Sequence, residues 1–92
     1  MDNFTIAQRL MQVAHELEGQ RDNLYRIRAY RRAAGTVQSL EESVEDIVAE
    51  NGASGLRGFP GIGSHLAGKI ANLVRTGEFA TLNPEEELAG VG

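Results

Sequence analysis

Residues 56–70 read Leu56-Arg57-Gly58-Phe59-Pro60-Gly61-Ile62-Gly63-Ser64-His65-Leu66-Ala67-Gly68-Lys69-Ile70, and how this stretch breaks and then resumes a helical pattern decides the fold. Pro60 lacks an amide proton, and Gly58, Gly61 and Gly63 favour turns, so no helix runs through the middle of it. A short helical turn around Leu56 leads in. From Ser64 the apolar residues Leu66, Ala67, Ile70, Leu73 and Val74 recur at spacings of three and four until Gly77, which predicts a helix there. Residues 53–77 therefore hold a helical turn, a hairpin and a helix.

Gly61 and Gly63 flank Ile62. Without Cβ atoms the two glycines let the backbone approach an anion, while amides of the turn and of the first helical turn point at it. The helix dipole adds partial positive charge at Ser64 and His65. Ile62 is expected to plug into the core and leave the amides of Gly61, Ile62 and Gly63 facing outward. Backbone amides read phosphates rather than bases, so the expected ligand is DNA, bound without sequence preference. The same Pro-Gly-x-Gly also suits an ordinary tight connection between helices, and short glycine motifs recur by chance.

Working outward, Ile6, Leu10, Val13, Ala14 and Leu17 share one face of a predicted helix over 3–17, with Gly19 as its C-terminal cap. A second helix is predicted from Asp22, whose carboxylate would accept first-turn amides, to about Leu40, with Leu24, Ile27, Ala34 and Val37 facing the core. The third begins at Ser43-Val44-Glu45-Asp46, which resembles a capping box with Asp46 in the Glu position, and stops at Asn51-Gly52. Its Glu45 and Glu50 would repel DNA, so it belongs away from the ligand. No internal repeat is visible.

Ninety-two residues fit one domain with one modest core. A hydrophobic content of 41% with only 5% aromatic and no tryptophan favours a helical bundle of Leu, Ile, Val and Ala over a β-sandwich. The absence of cysteine rules out a disulfide framework and thiolate zinc sites. No apolar run approaches the ~20 residues that span a bilayer, and Asp2 with no basic segment after it does not read as a signal peptide, so no membrane partner and a cytoplasmic location, at the nucleoid in a bacterium, are expected.

The net charge of −4 argues against a polyanion only until it is mapped. Residues 78–92 carry Glu78, Glu85, Glu86 and Glu87 and no base, so the thirteen acids fall to nine over residues 1–77, where all nine bases lie. Residues 23–40 hold Arg26, Arg28, Arg31 and Arg32 without an acid, and residues 51–77 hold Arg57, Lys69 and Arg75 without one. Local field steers a phosphate backbone more than net charge does.

Two stretches together, Leu24-Tyr25-Arg26-Ile27-Arg28-Ala29-Tyr30-Arg31-Arg32-Ala33-Ala34 and Leu56 to Ile70, resemble the N-terminal lyase domain of the family X DNA polymerases, the DNA polymerase β-like group, over about residues 3–82. The resemblance implies a compact four-helix unit that binds the downstream end of gapped DNA and in some members removes a 5′-deoxyribose phosphate through a lysine Schiff base. By position Lys69 resembles that nucleophile. Arg26, Tyr30, Arg57 and His65 resemble the group that holds the 5′-phosphate. The backbone carbonyls of Arg57, Phe59 and Ile62 resemble those that ligate a monovalent cation, Na+ or K+, between hairpin and phosphate. The sequence departs from the pattern at Gly68, which stands where an acid precedes the nucleophile, and at His65, which replaces a basic residue. The nucleotidyl-transfer domains have no counterpart in these residues, so polymerase activity is not expected of this chain, whereas lyase activity stays open.

Lys69 is the sole lysine, and a Schiff base needs a neutral amine, which an ordinary lysine of pKa about 10.4 rarely offers at pH 7. The alternative is a solvated lysine that touches a phosphate. Tyr30 suits either contact with a terminal sugar-phosphate or half-buried packing. Arg26 shares a helix face with Tyr30, four residues on, while the other arginines of that stretch also fit a solvated face. His15 beside Glu16 and Glu18 offers too few ligands for a metal and reads as a surface or boundary residue.

The expected protein is thus all-α, a compact four-helix domain containing one helix-hairpin-helix motif over 1–82, with an acidic tail or the start of a further segment over 83–92. DNA contacts are expected from Arg57, Gly61, Ile62, Gly63, Ser64, His65, Lys69 and Arg75. Duplex, gapped or nicked DNA is the expected partner, with a larger polymerase or repair protein beside it. A second expectation is a 5′-deoxyribose-phosphate or abasic-site lyase, and a third a protein adaptor that docks a partner helix on the same hairpin.

Overall fold

Short polar residues ahead of apolar helical runs set the helix starts. In the computed structural model, which describes residues 1–79, four α-helices form: α1 (Asn3–Gly19), α2 (Leu24–Ser39), α3 (Val44–Asn51) and α4 (Ser64–Thr76), with a 3-10 helix over Gly52–Leu56 between α3 and the hairpin. Asp2 caps α1 by accepting the Thr5 amide at 2.7 Å, and hydrogen bonds from Thr5 hold its carboxyl below the ordinary range. Ser43 caps α3 through the Asp46 amide at 3.3 Å, which is half of the expected capping box, and no return bond from the Ser43 amide to the Asp46 carboxylate forms among the described residues. The all-α, four-helix expectation holds, whereas the domain boundary at residue 82 and the segment 83–92 lie outside the described residues.

Two boundaries differ from expectation. α2 is capped by Asn23, whose side chain accepts the Tyr25 amide at 2.7 Å, and not by Asp22. α1 does not close at Gly19, which still belongs to the helix. Its left-handed residue is Arg21, at φ 55, and the Arg21 and Asp22 amides donate back to the Glu18 and Leu17 carbonyls at 3.0 and 2.9 Å. That pair of bonds is a Schellman motif with arginine in the position glycine usually holds. Gly19 comes two residues too early to serve there.

The core is a single cluster. α1 contributes Ile6, Leu10, Val13, Ala14 and Leu17, which pack against Ile27, Tyr30, Ala33, Ala34 and Val37 of α2. Val44, Ile47 and Val48 of α3, Leu56, Ile62, and Leu66, Ala67, Ile70, Ala71 and Leu73 of α4 complete it. Leu24, expected in this core, is 65% exposed, because it opens α2 at the tight turn where no described element covers it. Val74 sits at the core's edge. Asn3 ties the α2–α3 connection to the start of α1. Its amide nitrogen donates to the Glu42 carbonyl at 2.8 Å and its oxygen accepts the Val44 amide at 2.9 Å. No helix among the described residues is long and apolar enough to cross a membrane.

Ile70 is fully buried at the centre of α4, and Ile70→Ala removes apolar contacts on every side. Such truncations cost roughly 2–5 kcal/mol. The variant is expected to show a lower urea midpoint by that amount at unchanged denaturant slope.

Candidate nucleic-acid interface

The hairpin is built from two successive turns. The Phe59 amide donates to the Leu56 carbonyl at 3.3 Å, and the Ile62 amide to the Phe59 carbonyl at 3.1 Å. In the second turn Pro60 stands at the position that favours its fixed φ and Gly61 at the position that needs a positive one, here 78°. It is a type II turn. Leu56 and Ile62, both buried, anchor its two sides. The expectation that Ile62 plugs into the core is met, but the expectation for its amide is corrected. That amide closes the turn on Phe59 and does not face an anion.

α2 holds the turn from the other side. The Thr36 hydroxyl donates to the Pro60 carbonyl at 2.6 Å. A Cβ placed on Gly61 would come within 2.7 Å of Arg32 Cγ and 2.9 Å of Cδ, so the aliphatic stem of Arg32 lies directly on the turn. Gly61 is therefore required twice, for its dihedral angle and for this approach. Sequence reasoning counted Arg32 only among surface bases, since nothing local to α2 announces a contact with a glycine so far along the chain.

Beyond the turn, α4 starts at Gly63 without a side-chain cap. The amides of Gly63, Ser64, His65 and Leu66 form no hydrogen bond among the described residues, and the first helical bond runs from Ala67 to the Gly63 carbonyl at 2.9 Å. Gly63, Ser64 and His65 are exposed. Amides without an internal partner at the positive end of a helix dipole, three of them on exposed residues, are an arrangement that can receive an anion.

A second group of residues gathers beside this one. Arg26 and Tyr30 lie one turn apart on α2, and His65 and Lys69 one turn apart on α4. Burial pushes the His65 imidazole below its usual range, and the Lys69 and Arg26 charges push the same way, so α2 and α4 bring their cations to one place. Tyr30 is buried at 3% exposure, beneath the cluster. Its ring meets Phe79 edge-on at a centroid distance of 6.4 Å, and burial raises its hydroxyl pKa, with Arg26 opposing and Asp22 adding to the shift. Asp22 is the acid that sequence reasoning left out of this group. Its carboxylate takes Arg26 Nη1 on both oxygens, at 2.8 and 2.7 Å. The four-residue spacing was the available signal.

Other expected contacts fall elsewhere. Arg57 is exposed at the end of the 3-10 helix, on the approach to the hairpin. Arg75 lies at the far end of α4, roughly 16 Å of helix from Ser64. Its guanidinium is 3.7 Å from where a Gly52 Cβ would stand, at the C-terminal end of α3, where a cation offsets the helix dipole. Of the carbonyls expected to ligate a cation, that of Phe59 already accepts the Ile62 amide. Those of Arg57 and Ile62 accept no hydrogen bond among the described residues.

The lowered His65 value fixes the sign of a pH effect. In the unfolded chain an imidazole takes up its proton near pH 6.5, earlier on acidification than in the fold, so protons favour unfolding. Stability is full above about pH 6.5 and is lost as pH falls through the folded value. Thermal midpoints of the wild type should decline over that interval, and His65→Gln should flatten the decline.

A family model described as a helix-hairpin-helix domain matches residues 1–79. No curated protein matches the chain.

Proposed function

The chain belongs to the helix-hairpin-helix domain family, and on that premise we propose that it grips the sugar-phosphate backbone of DNA without sequence preference and favours gaps carrying a 5′-phosphate. The observation that carries this reading is the uncapped start of α4, where the Gly63, Ser64, His65 and Leu66 amides form no hydrogen bond among the described residues. Main-chain donors recognise the anion common to all nucleotides. Arg32, laid along the turn, and Arg57, exposed before it, supply charge on either side.

The preference for ends rests on the neighbouring group. Arg26, His65 and Lys69 gather near the buried Tyr30, a cluster of basic side chains suited to the extra charge of a terminal phosphate. The likeness of residues 24–34 and 56–70 to the lyase domain of family X polymerases supports a place in DNA repair. In this reading the carbonyls of Arg57, Phe59 and Ile62 would hold a Na+ or K+, which would supply positive charge for a phosphate of the strand, with the Phe59 carbonyl also accepting the Ile62 amide.

Titration of intact, nicked and gapped duplex of one sequence tests the proposal. Tightest binding is expected for the gapped duplex with a 5′-phosphate, and the logarithm of the binding constant should fall against that of salt by about 0.9 for each phosphate contacted. A constant indifferent to salt, or no binding to any of the three, overturns it.

A second reading, removal of a 5′-deoxyribose phosphate through Lys69, has one observation in its favour. Lys69 stands half-buried one turn beyond His65, within the group proposed to hold that phosphate. In this step the amine nitrogen attacks the C1′ aldehyde, water leaves, and β-elimination expels the 3′-phosphate. Borohydride should then trap a covalent adduct that disappears in Lys69→Ala, and an adduct that persists in the variant, or none in the wild type, removes this reading.

A further inference from the structure

Arg32 reaches the hairpin from outside it, and its charge is left over once its packing is accounted for. The stem crosses the turn at Gly61: the position of a Cβ there lies 2.7 Å from Cγ, 2.9 Å from Cδ and 3.1 Å from Nε. The guanidinium head therefore begins over the turn itself. One helical turn further along α2, the Thr36 hydroxyl donates to the Pro60 carbonyl at 2.6 Å and holds helix and turn together. On the same helix Arg26 meets Asp22 and Arg31 meets Glu18, whereas Arg32 forms no ion pair or hydrogen bond among the described residues.

Packing alone does not ask for an arginine at this position. An unbranched apolar side chain would cover Gly61 equally well and would bring no charge to the turn. Neither stretch that meets here holds a carboxylate for that charge, since residues 23–40 and 51–77 contain no acid. What lies close to the head is main chain. Gly63, exposed and with an amide that forms no hydrogen bond among the described residues, is two residues from Gly61, at most about 7 Å of chain away.

Resting on the function proposed above, we infer that Arg32 is a direct DNA contact: its guanidinium and the main chain of the hairpin hold one internal phosphodiester of the strand between them. Part of the stem's rotamer freedom is lost on folding rather than on binding, so the contact is prepared before DNA arrives. Gly61 then serves binding as well as the turn, because a Cβ would push the stem, and the guanidinium with it, off the hairpin. The residues that likeness puts against a 5′-phosphate take no part in this contact. It is therefore common to intact and gapped duplex.

The test titrates wild type, Arg32→Met, Arg32→Gln and Arg32→Lys with intact duplex and with a gapped duplex carrying a 5′-phosphate, by fluorescence anisotropy over a range of salt. Met and Gln keep an unbranched stem over Gly61 and drop the charge, Lys keeps both, and thermal unfolding verifies the fold of each variant. Arg9→Met on α1, outside the hairpin, is the charge-matched control. The two neutral variants should bind both duplexes about tenfold or more weaker, the scale of a lost charge-assisted hydrogen bond. Their plots of the logarithm of the binding constant against that of salt should be shallower by about 0.9, one phosphate contact fewer. Arg32→Lys should restore the wild-type slope, and Arg9→Met should leave it as it is. A wild-type slope in folded Arg32→Met or Arg32→Gln makes the side chain a brace of the turn and overturns the inference. Equal flattening by Arg9→Met reduces the effect to net charge and overturns it too, as does a slope that Arg32→Lys fails to restore. A loss confined to the gapped duplex moves Arg32 to the 5′-phosphate group and overturns the shared contact. Each of these results leaves backbone binding by the wild type standing, whereas a wild type that binds no DNA removes the function on which the inference rests.

Discussion

The hydrogen bond from the Ile62 amide to the Phe59 carbonyl governs the arrangement of everything around it. It exists only because Gly61 adopts a left-handed dihedral angle behind Pro60, and it turns the Ile62 side chain inward. With Ile62 buried, the chain must leave the turn outward, so α4 begins at the surface with its amides uncovered. Core packing and anion exposure are thereby two results of one bond. A hairpin without the buried residue would still bend, but its amides would have no fixed direction.

α2 converts that local arrangement into a site. Its inner face belongs to the core, yet Thr36 fastens the turn and Arg32 lies along it, and one to two turns earlier Arg26 and Tyr30 meet the first turns of α4. The amide surface and the cationic group thus lie along the same side of α2, one at the hairpin and the other toward its N-terminal end. Tyr30 forms the floor between them, supported at its edge by Phe79. Arg75, by contrast, offsets the C-terminal dipole of α3 and lies outside this assembly.

Helix positions were readable from apolar spacing because each helix buries one stripe, and Ile6 to Leu17 or Leu66 to Leu73 satisfy that stripe without exception. Helix ends were less so. Asp22 and Asn23 are both competent caps, and adjacency in sequence cannot say which one turns toward the amides, whereas Arg21 in a left-handed conformation defies the usual preference for glycine. The hairpin's bend was legible in Pro60 and Gly61, but the pairing of the Ile62 amide followed from turn type, which depends on dihedral angles. The burial of Tyr30 depends on how α2 packs in the fold, and no window of sequence contains that information, whereas the four-residue spacing of Asp22 and Arg26 was there to be read. Motif likeness found Arg26, His65 and Lys69 because it carries the memory of such a packing.

Arg21 also has a mechanical meaning. A non-glycine residue in the left-handed region stores roughly 1–3 kcal/mol of backbone strain, and the two amide bonds that flank it keep that strain from relaxing. The corner between α1 and α2 is consequently stiff, and Asp22, the next residue, inherits its stiffness.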